Sequence, residues 1–172
     1  SKIIIAPNTI DVPNHEDLSA DEKQNLLFVG RLQDRKRLDL AITAFAALQG
    51  QIPPSVEFDI IGAGEPAEYL RATALKLGVE DKINFLGQID DPETLKGYFA
   101  KAIVYVSPGP VGLAVLHSFA YGVPVLTLKD GYHGPEFHNL LDGKNSVIFV
   151  STLPSGIKKV FERDKRKAFF PT

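Results

Sequence analysis

The residues that could bind a phosphate stand directly after short apolar segments of the chain. Arg31 follows Phe28-Val29-Gly30, and Lys36 comes five positions after that arginine. An arginine guanidinium can bind a phosphate through two nitrogens, and a lysine ammonium adds a second positive charge. The alternative for Arg31 is a surface ion pair with Asp34 or Asp39, and spacing alone favours neither interpretation.

A second group of candidate anion ligands lies in the loop that follows Val106. It reads Ser107-Pro108-Gly109-Pro110-Val111-Gly112-Leu113 and then enters a predicted helix. The first N–H groups of a helix have no partner inside it, and the helix dipole is positive at that end. We therefore predict that the amides of Gly112–Ala114 bind a phosphate or pyrophosphate.

Glycine turns follow other apolar segments, at Gly62 and at Gly87-Gln88-Ile89. Glycine lets a ligand approach the backbone closely, although tight turns also require glycine without any ligand. The stretch Gly62–Ala67 fits the dinucleotide pattern G-x-G-x-x-G/A, but it lies in the second strand–helix unit rather than the first. A fragment of an NAD-dependent oxidoreductase therefore remains an alternative.

His117, His133 and Glu136 could reach the same region. His117 lies one turn into the helix after Gly112, where it is either a ligand or a hydrogen-bonded core residue. His133 and Glu136 follow a later apolar segment, and Glu136 could simply favour a helix N-terminus. None of the four histidines shares metal-ligand spacing with a carboxylate on one helix, so we expect no metal.

Strand-like and helix-like segments alternate along the chain, which predicts a Rossmann-like three-layer α/β domain with a parallel sheet. In such a sheet the residues that follow the strands meet at one edge. The helix Leu113–Tyr121 is apolar on most sides and is expected to be buried. The predicted strands are Lys2–Ala6, Leu26–Val29, Glu57–Ile61, Ile83–Leu86, Ile103–Val106, Pro124–Leu128 and Val147–Val150, and the other predicted helices are Leu38–Gln49, Ala67–Leu77 and Pro92–Ala102.

The composition of the 172 residues is typical of a single domain, which we place at 1–172. A net charge of −2 argues against a nucleic-acid partner. The absence of cysteine excludes disulfides and cysteine nucleophiles and fits a cytoplasmic location. Because the chain begins with Ser1 and contains no methionine, it is expected to be an excised domain.

Two terminal stretches lie outside the alternating pattern. Residues 1–24 are predicted to form a linker or surface segment, and 154–172 a basic C-terminal helix or tail. The stretch Ile157–Phe170 alternates lysine and arginine with apolar residues, so it could contact the inner face of an anionic membrane. The favoured alternative is a terminal helix that packs one apolar edge on the domain.

A series of motifs occurs in a characteristic order: Phe28-Val29-Gly30-Arg31-Leu32 with Lys36, Ile60-Ile61-Gly62-Ala63-Gly64, Phe85-Leu86-Gly87, Tyr105-Val106-Ser107-Pro108, Gly112-Leu113, Ala120-Tyr121-Gly122-Val123-Pro124-Val125, Pro135-Glu136 and Asp142-Gly143-Lys144-Asn145. This order resembles the C-terminal domain of GT-B glycosyltransferases of the family 4 type. The resemblance extends from about Ile5 to Phe149. It implies one half of a GT-B fold, which binds the nucleotide-sugar donor of a retaining glycosyltransferase.

The resemblance also assigns roles. Arg31 and Lys36 would be the catalytic cations that bind the donor diphosphate and neutralise the leaving group. The backbone of Gly87–Ile89 would contact the base, and amides around Gly112–Ala114 would hold the phosphates. The donor would be UDP- or GDP-linked, no cofactor is implied, and a glycan or lipid-linked acceptor would bind an N-terminal domain of the same protein. Gly30, Gly62, Gly109, Val111 and Glu136 complete the predicted donor-binding set.

The sequence departs from the resembled family at one pair of positions. The family's two glutamates, which contact the donor sugar and the ribose, fall here on Gly109 and His117. We expect His117 and Glu136 to provide part of these contacts. The departure also leaves open a non-catalytic nucleotide-binding module, and an epimerase of GT-B shape is a further alternative.

Overall fold

The computed structural model describes residues 23–130, 133–149 and 153–162. In this part of the chain six strands form one parallel sheet with the order β3-β2-β1-β4-β5-β6. The strands are β1 (Asn25–Val29), β2 (Phe58–Ile61), β3 (Ile83–Gly87), β4 (Ala102–Ser107), β5 (Val125–Leu128) and β6 (Ser146–Phe149). The helices are α1 (Leu38–Ala47), α2 (Ala67–Lys76), α3 (Pro92–Lys101), α4 (Ala114–Ala120) and α5 (Leu153–Glu162), and short 3-10 turns occur at Asp34–Lys36, Glu80–Lys82 and Pro135–Asn139.

This architecture confirms the predicted Rossmann-like α/β fold with a parallel sheet. The predicted strand Lys2–Ala6 lies outside the described residues. The chain builds outward from β1 to β3 and then returns to place β4 on the other side of β1. The loops that follow β1 and β4 therefore leave in opposite directions, and ligands bind parallel sheets in the crevice at such a switch point.

The sheet is apolar because helices cover its faces. Leu26, Leu27 and Phe28 of β1 are at most 1% exposed. Asp59 of β2 is a charged residue within this sheet; its side chain is buried and accepts hydrogen bonds from the side-chain amides of Asn25 (2.9 Å) and Asn84 (2.8 Å). These two amides satisfy the carboxylate, which would otherwise be costly to bury.

Helix α4 is more exposed than the sequence predicts. The expectation that Leu113–Tyr121 is buried was wrong, because Leu113 is 51% exposed and His117 is also exposed. One side of α4 packs inward through Val115 and Ser118, while the other side faces solvent. An apolar sequence fits a helix covered on all sides, so it could not show which side would stay uncovered.

The last described helix, α5, packs its apolar side against the rest of the domain. Ile157 is fully buried and Val160 is 3% exposed, whereas Lys158 and Lys159 face solvent. For Leu153–Glu162 this confirms the favoured alternative, a terminal helix packed on the domain; residues 163–172 lie outside the described part. Among the described helices, none has the length and apolar character needed to cross a bilayer.

Candidate functional site

Two loops at the switch point are joined through Lys36. In the β1–α1 loop, the Lys36 ammonium donates a hydrogen bond to the Pro110 carbonyl of the β4–α4 loop (2.7 Å). The Gly109 N–H donates in return to the Lys36 carbonyl (3.1 Å). Burial lowers the pKa of Lys36, the nearby Arg35 lowers it further, and Glu136 opposes both. Lys36 therefore meets the β4–α4 loop and lies within the electrostatic field of the Glu136 carboxylate.

Gly109 has a steric reason to be glycine. A Cβ at this position would overlap the Arg35 carbonyl oxygen and stand 2.7 Å from the Lys36 Cα. The β4–α4 loop thus passes directly over the backbone of the 3-10 turn Asp34–Lys36. A glutamate could not stand here without moving one of the two loops, which gives a physical basis for the departure from the resembled family.

The N–H groups of the β4–α4 loop can be accounted for one by one. Pro108 and Pro110 have none, and the Gly109 N–H is bonded to Lys36. The Val111 N–H donates to Nδ1 of His133 (3.5 Å), so it is not available to a ligand. The amides of Gly112–Ala114 have no hydrogen-bond partner within the described residues. Three consecutive N–H groups are therefore left for an external acceptor, and their binding of a phosphate stays a prediction.

A cavity of about 320 Å³ opens at the carboxyl ends of β1, β2 and β3. Its position matches the expected ligand edge of a parallel sheet. The cavity brings together five predicted site residues, which are Gly30, Arg31, Gly62, Gln88 and Ile89. Val29, Ile61, Ala63 and Asp90 complete its lining.

Arg31 stands exposed at the rim of this cavity. The alternative of an ion pair with Asp34 or Asp39 was wrong, because among the described residues Arg31 pairs with neither of them and Asp39 pairs instead with Arg37 (3.3 Å). Within the described part of the chain Arg31 has no ion-pair or hydrogen-bond partner. Its guanidinium is therefore available to a ligand.

The floor of the cavity, at Gly30 and Gly62, is closely packed backbone, and the same packing continues beyond the cavity at Gly64. A Cβ at Gly62 would overlap the Gly30 carbonyl, and one at Gly64 would overlap the Leu32 carbonyl. Hydrogen bonds continue the sheet into these loops, from Gly30 N–H to Ile61 (2.9 Å) and from Leu32 N–H to Ala63 (2.9 Å). Both glycines of the G-x-G pattern are thus required by the chain's own packing, without any dinucleotide.

The ends of β1 and β4 are fixed by hydroxyls from neighbouring strands. The Tyr105 hydroxyl donates to the Val29 carbonyl (2.9 Å), and Thr127 Oγ1 donates to the Ser107 carbonyl (2.8 Å). Burial raises the pKa of Tyr105, so the phenol remains a donor. The two loops that form the site therefore start from fixed points.

The structure places the three remaining candidate residues, which all follow the start of α4, in different environments. His117 is exposed, so the alternative of a core histidine was wrong, and its role as a ribose ligand stays a prediction. Glu136 is half-buried in the 3-10 turn Pro135–Asn139, and its negative charge acts to raise the pKa of Lys36, against the effect of burial. His133 was expected to reach this region but was left out of the predicted donor-binding set, and the structure shows that it contacts the β4–α4 loop. Its sequence neighbours could not reveal a partner more than twenty positions away.

Comparison with known proteins places the fold and the motifs in one family. The family model for glycosyl transferases group 1 matches residues 13–159. A lipopolysaccharide core biosynthesis glycosyltransferase of Rhizobium meliloti is 29% identical over 138 residues, which cover 80% of this chain and 38% of that protein. A GDP-mannose-dependent phosphatidylinositol dimannoside mannosyltransferase of Mycobacterium tuberculosis is 36% identical over 107 residues, which cover 60% of this chain and 27% of that one.

Solved structures show the same fold. The Anabaena protein HepE, determined in complex with UDP and glucose, superposes with a TM-score of 0.68 at 22% identity, covering 87% of this chain and 41% of that one. The chain thus spans well under half the length of each of these proteins. The family match covers most of the chain, and the α/β fold agrees with it. This chain therefore belongs to the group 1 glycosyltransferase family and forms a Rossmann-like half of a GT-B fold.

Proposed function

We propose that this chain is the donor-binding half of a glycosyltransferase and that it binds the nucleoside diphosphate of a UDP- or GDP-linked sugar. The observation that carries the proposal is the junction of two loops at the switch point. Lys36 holds the β4–α4 loop through Pro110, and this loop leads directly to the unbonded amides of Gly112–Ala114. One positive charge and three N–H groups suit a diphosphate.

The cavity beside this junction suits the nucleoside. It is lined by Gln88 and Ile89 at one end and by Gly30 and Gly62 at its floor, so a flat base can lie against backbone. Arg31 at the rim can bind the diphosphate through two nitrogens. We propose that the nucleoside of the donor is uridine or guanosine.

The same residues are placed to stabilise the nucleoside diphosphate as it leaves the sugar. When the bond between the sugar and the diphosphate breaks, negative charge accumulates on the phosphate oxygen. Arg31, Lys36 and the loop amides would stabilise that charge. Glu136, which lies in the field of Lys36, is our candidate for contacts with hydroxyls of the donor sugar.

The remaining parts of the reaction need residues outside this chain. We propose that a glycan or lipid-linked acceptor binds an N-terminal domain of the same protein, and that transfer retains the anomeric configuration. The coverage of less than half of each relative supports a further domain. The related mannosyltransferase is named for GDP-mannose and a phosphatidylinositol acceptor, and HepE was crystallised with UDP and glucose. The absence of cysteine agrees with a cytoplasmic location.

Calorimetric titration tests the proposal. We expect UDP or GDP to bind with about micromolar affinity, and Arg31→Ala or Lys36→Ala to weaken binding about ten-fold or more, because each removes a charged contact to phosphate. The matched control is Lys101→Ala, which removes one positive charge directly before β4, at the opposite edge of the sheet. Binding of NAD with no response to UDP or GDP would contradict the proposal.

The absence of carboxylates at Gly109 and His117 favours a second candidate, a non-catalytic nucleotide-binding module. Both candidates bind UDP or GDP, so they are separated by incubating the protein that carries both domains with UDP- and GDP-sugars. Release of nucleotide that depends on Lys36 supports the transferase. Binding without any release supports the module.

A further inference from the structure

His133 connects three segments around the proposed diphosphate site. Its Nδ1 accepts a hydrogen bond from the Val111 N–H of the β4–α4 loop (3.5 Å). Its Nε2 lies 2.9 Å from the carbonyl oxygen of Leu128, the last residue of β5. Its ring stacks on Phe137, with 4.2 Å between centroids and 12° between planes. One side chain thus ties the β4–α4 loop to the sheet and to the 3-10 turn that carries Glu136.

The two hydrogen bonds together fix the form of the imidazole. A backbone N–H can only donate, so Nδ1 must be unprotonated, and a carbonyl can only accept, so Nε2 must carry the proton. Both requirements describe the neutral Nε2–H tautomer. The two partners therefore select one form of the ring independently of each other.

His133 restrains the β4–α4 loop through the N–H of Val111. Val111 is 3% exposed, so without the imidazole its N–H would be buried and unbonded. The segment that follows His133 also lies against this loop, since a Cβ at Gly134 would stand 3.1 Å from the Val111 carbonyl oxygen. On its other side, the loop is held by Lys36 through Pro110. The stretch that leads to Gly112–Ala114 is therefore held from two sides.

We propose that His133, as the neutral Nε2–H tautomer, is a positioning residue that holds the β4–α4 loop in the shape that receives the donor diphosphate. The inference rests on the proposed function, because it assumes that this loop binds a diphosphate. His133 acts through Val111, and its own ring nitrogens are both used by the backbone. Its effect falls on the diphosphate and leaves the nucleoside cavity, which is formed by β1–β3, unchanged.

Two variants separate the hydrogen bonds from the stacking. His133→Phe keeps a flat ring for Phe137 and removes both hydrogen bonds, whereas His133→Asn restores an acceptor near the position of Nδ1. We expect His133→Phe to weaken UDP or GDP binding about ten-fold, because loop ordering must then be supplied on binding, and to leave uridine or guanosine binding unchanged. His133→Asn is expected to recover most of the lost diphosphate affinity.

Two measurements test the same idea without a ligand. Amide hydrogen exchange should show Val111 protected in the wild type and in His133→Asn, and exchanging faster in His133→Phe. Imidazole ¹⁵N chemical shifts of the wild-type chain should report a protonated Nε2 and an unprotonated Nδ1 for His133. A protonated Nδ1 in the neutral ring would overturn the proposal even if the variants failed to fold.

The outcomes also separate this inference from the proposed function. A wild-type chain that binds neither UDP nor GDP overturns both. A wild-type chain that binds one of them, with unchanged affinity in His133→Phe, overturns the positioning role alone. Equal losses of nucleoside and diphosphate affinity in His133→Phe would show that His133 supports only the general fold, and would also overturn it.

Discussion

Replacing Gly109 by alanine tests how the two loops of the site pack together. The added Cβ would overlap the Arg35 carbonyl oxygen and stand 2.7 Å from the Lys36 Cα, where ordinary van der Waals contact begins at about 3.4 Å. Both neighbours are backbone atoms, which cannot rotate away as a side chain can. One of the loops must therefore shift.

The expected loss of stability follows from these contacts. Forcing one extra methyl group into a packed site costs about 1–3 kcal/mol. The shift also stretches the hydrogen bond from the Gly109 N–H to the Lys36 carbonyl (3.1 Å), which contributes about 1 kcal/mol. We expect Gly109→Ala to lower the free energy of unfolding by about 2–4 kcal/mol.

Chemical denaturation of the wild type and the variant measures this loss. The matched control is Gly112→Ala in the same loop, where a Cβ would have no neighbour within 4 Å and should change stability by about 0.5 kcal/mol or less. Gly109→Ala should also weaken UDP or GDP binding, because Lys36 moves with the displaced backbone. If both alanine variants unfold at the wild-type midpoint, the close packing of the two loops is refuted.

Two further predictions concern α3 and the charge of Lys36. Gly97→Ala should raise the free energy of unfolding by about 1 kcal/mol, because Gly97 lies inside α3 with no neighbour within 4 Å and alanine favours a helix; a lower melting temperature would contradict this. Affinity for UDP or GDP should fall as pH rises through the alkaline range below 10.5, because burial lowers the pKa of Lys36 and the diphosphate binds its protonated form. Lys36→Arg, which stays charged, should remove that part of the decline, and an unchanged pH profile would show that Lys36 does not contact the diphosphate.

The strands of this fold could be predicted closely from the sequence because they are covered on both faces. A continuous apolar run such as Ile103–Val106 is typical of such a strand, and β4 extends it by one residue at each end. The parallel topology then brings the strand ends to one edge, so Arg31, Gly62 and Gln88 could be grouped without knowing any contact. Both predictions depend on patterns that are local in sequence.

The contacts that shape the site depend on partners far apart in sequence. Nothing near Gly109 indicates that its Cα lies against Arg35, and nothing near Val111 indicates that its N–H bonds to His133. The exposure of His117 likewise depends on which side of a short helix other elements cover. Such features follow from how loops meet in three dimensions.

The backbone floor beneath the cavity has a consequence for how the specificity of this domain can change. Gly30, Gly62 and Gly64 lie in loops whose packing leaves no room for side chains at Gly62 and Gly64, so the shape of the floor does not depend on the residues that face the ligand. Gln88 lies at the mouth of the same cavity with an exposed side chain that is bonded only to Asp90 among the described residues (2.9 Å). On the proposed function, we therefore expect a substitution at Gln88 to alter the preference for one base over another at little cost to folding, so a library for new donors should vary Gln88 rather than the glycines of the floor.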